Sequence, residues 1–201
     1  MDGSLLYRSE RAYLLLMRAL YGRYYDARYR ALADLIAPGA EVLDLCCGPG
    51  ILYRRYLRPK GVDYRGLDIN PRFVARLRSL GVRAEVADLR APAPLPRADV
   101  VVMQASLYHF LPDPDPVLAR MLASARRQVV IAEPVRNLSS SRFPLIAALG
   151  RRATGVAGGG SERFDEASLD ALMDRYVEQV EDRFLIPGGR EKVYLLRAPS
   201  A

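Results

Sequence analysis

The sequence predicts an α/β fold: a doubly wound, mostly parallel seven-stranded sheet with an antiparallel C-terminal hairpin and an N-terminal helical lid. Three observations predict it. Short apolar runs alternate with helical stretches from Glu41 to Ala132, the order that builds a parallel sheet covered on both faces. The first run carries a carboxylate inside its end and is followed by a Gly-Pro-Gly bend, the usual passage from a strand into a helix. The last two runs are joined only by Pro187-Gly188-Gly189, too short for a crossover and suited to a hairpin.

Each element follows in order. From about Leu5 to Ile36, residues such as Leu14, Met17, Tyr21, Tyr25 and Leu32 recur at helical spacing, with Gly22 marking a break and Pro38-Gly39 a stop. Glu41 to Cys46 reads as a buried strand, and Ile51 to Leu57 as the helix after the bend. Tyr64 to Ile69 is a second strand. Pro71 suits the first turn of a helix ending near Leu80, where Gly81 is a good terminator. Val82 to Ala87, Asp99 to Gln104 and Gln128 to Ala132 are three further strands, with a helix over Pro114 to Ser124. Phe164 to Ser168 opens a last helix reaching about Tyr176, and Val177 to Leu185 and Lys192 to Arg197 form the hairpin. Between them, Asn137 to Gly160 reads as a mobile segment around one short helix, Pro144 to Leu149. One domain over 1–201 is expected: lid 1–38, ligand-binding core 39–134, substrate-side segment 135–164, closing helix and hairpin 165–201.

The totals fit that expectation. The chain has 201 residues and a net charge of +7, carried almost wholly by Arg, since Lys60 and Lys192 are its only lysines. The Arg residues are spread along the chain, so the charge alone names no anionic partner. Adjacent Cys46 and Cys47 match neither a metal framework nor a disulfide framework, and no metal is expected. The N-terminus lacks a signal peptide's cationic start and cleavage site, and charges interrupt every apolar stretch before spanning length. A cytoplasmic location follows as the default.

The most informative segment is Asp44-Leu45-Cys46-Cys47-Gly48-Pro49-Gly50. Gly48 and Gly50 allow a tight bend and close approach of backbone to a ligand. A dinucleotide fingerprint would place a third Gly where Tyr53 stands, and Asp44 would repel a phosphate. A carboxylate there suits a ligand with an ammonium group. Asp68, about 20 residues on, has the position of an acid that accepts ribose hydroxyls. Asp88 ends the third strand and has the acceptor oxygens for an adenine amine. A lone strand-end Asp is more often a cap or turn former; the ordered set with the bend is the stronger signal.

Val42-Leu-Asp-Leu-Cys-Cys-Gly-Pro-Gly50, Gly66-Leu-Asp-Ile-Asn70 and Val86-Ala-Asp-Leu89 together resemble the class I S-adenosylmethionine-dependent methyltransferases, with their Rossmann-like sheet. The resemblance implies that Asp44, Gly48 and Gly50 cradle the methionine end of S-adenosylmethionine, with Cys46, Cys47 and Pro49 of the same bend among the cofactor-binding residues. It implies that Asp68 binds the ribose, that Ile69 packs the adenine, and that Asp88 and Leu89 hold its edge, with Asn70 also among the cofactor-binding residues. Gln104 and Ala105 would lie under the sulfonium, and S-adenosylhomocysteine would be the product. Tyr108-His-Phe-Leu-Pro-Asp113 resembles a segment of the small-molecule and quinone branch. Cys46-Cys47 departs from the family's more frequent Gly or Ala with one Cys.

Methyl transfer from a sulfonium is an in-line displacement that needs alignment and desolvation more than a strong base. His109, the single histidine, reads as a general base or as a packed loop residue, and Tyr108 as an acceptor-orienting hydroxyl. On the substrate side stand Tyr25, whose bland reading is lid packing, and Glu133, readable equally as acceptor orienter or cap. Arg136 stands there too; with Arg142, Arg151 and Arg152 it flanks the mobile segment, and its bland reading is solvated surface. A small-molecule acceptor, methylated on oxygen, is the leading expectation. Nucleic-acid methylation is the rival that the charge suggests, although no RNA-binding module is visible. A nicotinamide oxidoreductase and a non-catalytic cofactor-binding protein are the rivals of other class. The sequence leaves the oligomeric state open.

Overall fold

The computed structural model describes residues 10–136 and 163–199. The helix Pro144–Leu149, the segment Asn137–Gly160 and Arg142, Arg151 and Arg152 lie outside them, as does the start of the lid.

Seven strands form one sheet: β1 Glu41–Leu45, β2 Asp63–Asp68, β3 Ala84–Val86, β4 Ala98–Gln104, β5 Ala125–Pro134, β6 Val180–Leu185 and β7 Glu191–Arg197. Their order is β3-β2-β1-β4-β5-β7-β6. β1 to β5 run parallel, and β7 inserts antiparallel between β5 and β6. The hairpin therefore ends the sheet with β6 at the edge. The helices are α1 Glu10–Tyr21, α2 Ala27–Asp34, α3 Pro71–Ser79, α4 Asp115–Ser124 and α5 Glu166–Met173.

Alternation along the strands divides the core into two layers. Leu43, Leu45, Val101, Met103, Val129 and Ile131 face α4 and α5 through Leu118, Met121, Leu169 and Leu172. Val42, Val100, Val102, Val130 and Val193 face the other helices through Tyr29, Leu32, Leu57, Val74 and Leu77. Near-continuous Val, Ile and Leu in the central strands is what burial on both faces demands. β1 lies between β2 and β4, so the strand order reverses there and a crevice opens at the carboxyl ends of these strands.

Several boundaries differ from the sequence expectation. The helix after the bend is π-wound over Leu52–Leu57, then 3-10 over Arg58–Lys60; no residue pattern announces the wider turn. It leaves Tyr53 stacked on Tyr64 with ring centres 4.2 Å apart. β5 begins at Ala125, because α4 runs straight into it, and reaches Pro134. β6 begins at Val180, because a 3-10 turn over Asp174–Tyr176 prolongs α5 and the Gln179 N–H bonds the Tyr176 carbonyl. β3 is cut to three residues at the sheet edge. α5 starts on a reciprocal cap, in which Asp165 Oδ1 accepts from the Ser168 N–H at 2.8 Å and Ser168 Oγ from the Asp165 N–H at 3.0 Å.

Candidate functional site

In the bend after β1 every second residue is left-handed: Cys46 has φ 55°, Gly48 53° and Gly50 66°. A Cβ on Gly50 would lie 2.6 Å from Leu77 Cδ2, so Gly50 brings the bend against α3. A Cβ on Gly48 would meet nothing within 4 Å, so the backbone there borders open space, a cradle that a side chain would fill.

Asp68 fixes this bend. It is 7% exposed, and its Oδ2 accepts from the Gly48 N–H and its Oδ1 from the Asn70 N–H, each at 2.7 Å. Burial pushes its pKa up, and the two N–H groups oppose the rise. Asn70 caps α3 by accepting from the Arg72 N–H at 3.0 Å. Asp44 is buried on the side of Tyr64, whose hydroxyl donates to its Oδ2 at 2.8 Å. Burial pushes Asp44 up to about 7 against the Tyr64 bond, and the nearby Asp68 charge adds to the rise. Burial likewise holds the Cys46 thiol at about 12 and the Cys47 thiol well above its usual value, so both stay protonated.

The rest of the crevice mouth is less buried. Ile69 and Val86, both apolar, are each 53% exposed. Asp88 is exposed and accepts the Arg90 N–H at 3.0 Å. Leu89 is buried, and Arg120 of α4 holds its loop by donating to the carbonyls of Leu89, Ala91 and Ala93. After β4, Ala105 adopts φ 53° and donates to the Ala132 carbonyl at 2.7 Å. Gln104 turns its amide to the Arg28 carbonyl at 3.1 Å and Glu191 Oε2 at 3.3 Å.

Glu133, at the end of β5, is buried and accepts the Leu107 N–H at 2.9 Å. Burial pushes it up to about 8; the Leu107 bond opposes this and the Glu191 charge assists it. Tyr108 and His109 lie in a 3-10 turn over Leu107–Phe110, their ring centres 4.0 Å apart. The Arg163 guanidinium sits 3.8 Å from the Tyr108 ring centre. His109 keeps an exposed face, yet crowding around its ring, then the Arg163 and Arg90 cations, pull it down to about 4. Tyr25 lies far inside the helical layer, edge-on to Tyr29, with no hydrogen-bond partner for its hydroxyl among the described residues. Arg136 is exposed and lies over Gly189 in the β6–β7 turn.

A methyltransferase domain family model matches residues 16–176. The chain belongs to this methyltransferase family. Trans-aconitate 2-methyltransferase of Mycolicibacterium gilvum is 37% identical over 114 residues, 54% of this chain and 44% of the relative. The protein of the same name from Mycobacterium ulcerans is 33% identical over 142 residues, 67% of this chain and 53% of the relative. The chain thus spans about half the length of these curated relatives. Among solved structures, magnesium protoporphyrin IX methyltransferase of Synechocystis with bound S-adenosylhomocysteine superposes with TM-score 0.64 at 15% identity, covering 92% of this chain and 94% of that one. A putative methyltransferase of Haloferax volcanii, in complex with its Trm112 activator, does so with TM-score 0.69 at 15% identity, covering 98% and 97%.

The cofactor of this methyltransferase is S-adenosylmethionine, and the residues present fit it. The open space at Gly48, the buried Asp68 carboxylate and the exposed apolar surface of Ile69 are the kinds of backbone approach, anionic acceptor and apolar platform that an adenosyl amino acid would need. The family match displaces the nicotinamide reading. Among the described residues no helix is long and apolar enough to cross a membrane, and no acid, His and Cys cluster could hold a metal ion. The sequence reading missed Tyr64 beside Asp44, Arg120 behind the Leu89 loop, Arg163 on Tyr108 and the Arg28–Glu191 pair. One Arg among 30 basic residues carries no local mark, so only the fold reveals its partners.

Proposed function

We propose that this methyltransferase transfers the methyl group of S-adenosylmethionine to an oxygen of a small carboxylic acid. Asp68 would hold the ribose, Gly48 and Gly50 the methionine end, with Ile69, Asp88 and Leu89 about the adenine. Bound there, the cofactor supplies a methyl group already activated on a cationic sulfur. An ammonium beside Asp44 would favour its ionised form, because that group lies at its titration midpoint near pH 7.

The acceptor side supports an acid. A carboxylate is a nucleophile without losing a further proton at neutral pH, so no strong base is required. His109, pulled down to about 4, is neutral and weakly basic there, and Glu133 is occupied by the Leu107 N–H. Tyr108 remains the candidate to orient the acceptor. The relatives named for trans-aconitate methylation favour the same class over a nucleic acid. The single observation that carries the reading is the Asp68 clamp beneath the open Gly48 backbone, at the point where the strand order reverses.

The test is transfer of labelled methyl from S-adenosylmethionine to trans-aconitate and a panel of related acids. A hydroxide-labile ester is the expected product. Binding of S-adenosylhomocysteine with no transfer to any acid would reject the acceptor class.

A further inference from the structure

We propose that Arg163, seated on the Tyr108 ring, recognises a second carboxylate of the acceptor, which is therefore a small di- or tricarboxylic acid. This rests on the carboxylic-acid reading above and deepens it.

The geometry leaves Arg163 available. Its guanidinium lies 3.8 Å from the Tyr108 ring centre. A cation–π contact consumes none of the guanidinium N–H donors, which form the fork that matches a carboxylate. Arg28, Arg126 and Arg175 each hold an acid within 2.7 Å, whereas among the described residues no carboxylate pairs with Arg163. The buried acid that feels its charge, Glu133, already accepts the Leu107 N–H, and burial keeps it protonated at neutral pH.

Position assigns the cation to the acceptor. Arg163 lies over the turn that follows β4, beside the end of β5, while Asp68 and Ile69 mark the nucleoside at the end of β2. Arg90, which lies 4.0 Å from Asp88, also reaches this turn, donating to the His109 carbonyl at 3.3 Å. Two guanidinium groups therefore reach the acceptor turn, which favours an anion. With one carboxylate methylated and one held by a planar fork, such an acid is fixed in both position and orientation.

The experiment compares wild type with Arg163→Gln and Arg163→Lys, using trans-aconitate as acceptor and S-adenosylhomocysteine as cofactor probe. The KM for trans-aconitate should rise at least tenfold in Arg163→Gln, about 1.4 kcal/mol. Lysine should rescue only part of it, because an ammonium lacks the fork. The dissociation constant of S-adenosylhomocysteine, measured by calorimetry, should stay within about twofold, the readout that a general loss of fold would move. If wild type methylates trans-aconitate and Arg163→Gln does so with an unchanged KM, the assignment is overturned and the acid reading stands. If wild type binds S-adenosylhomocysteine yet neither binds nor methylates any di- or tricarboxylic acid, the acid reading falls and the assignment with it.

Discussion

Asp68 accepts the Gly48 and Asn70 N–H groups with its two oxygens, so it shapes the bend and presents its carboxylate at once. Asp68→Ala should weaken S-adenosylhomocysteine binding by about 1–3 kcal/mol, through lost charge-assisted hydrogen bonds. Calorimetry reads this, and an unchanged dissociation constant would show that Asp68 does not hold the ribose. Glu133 makes a different prediction, because its folded pKa of about 8 lies above its ordinary 4.5. The native state then holds that proton more tightly than the unfolded state, so stability falls as pH rises from about 4.5 through 8. Glu133→Gln keeps an oxygen for the Leu107 N–H and removes the titration. Its loss of stability between pH 5 and 8 should be smaller than that of wild type, by up to about 1.4 kcal/mol per pH unit in urea melts. Glu133→Ala should cost roughly 1–3 kcal/mol near pH 5, because the Leu107 N–H loses its buried acceptor, and this cost relative to wild type should shrink as pH rises and the wild-type acid ionises.

Neighbouring residues of β7 pin helices on opposite faces of the sheet. Lys192 reaches Glu166 and Asp170 of α5 at 3.0 and 2.7 Å, while Glu191 meets Arg28 of α2 at 2.6 Å. The second pair is the more buried, with exposures of 2% and 1%, and Tyr21 and Gln104 also donate to Glu191. Glu191→Ala would leave a guanidinium in the core with its charge unmatched, at a cost of about 3–5 kcal/mol. Replacing both partners by Met should recover most of that loss. Denaturant midpoints of the single and double variants decide it; equal loss in both would mean that the pair itself stabilises the fold. Gln104, expected under the sulfonium, is thus a link between β4, α2 and β7, and α2 is anchored by charge as well as by its apolar stripe.

Across the whole molecule, the layered sheet was legible because buried parallel strands read as apolar runs and because Gly, Pro and Asp punctuate their ends. Asp44, Gly48, Gly50 and Asp68 stood out for the same reason: a bend and a strand end leave local marks. The π-winding after Gly50 left none, and Arg28, Arg120 and Arg163 meet partners distant in the chain, which no spacing rule brings together. His109 drew notice through its residue type and the segment that carries it, and its neighbouring cations were invisible in one dimension. Cys46 and Ala105 occupy left-handed backbone at the tips of adjacent strands, where an L side chain costs roughly 1–2 kcal/mol. Exchanging either for glycine should therefore raise the melting temperature slightly, net of the extra freedom glycine has when unfolded. A protein toughened in this way would lose a thiol or a methyl group just past the ends of β1 and β4, and any change in acceptor preference would reveal what that small group was holding in place.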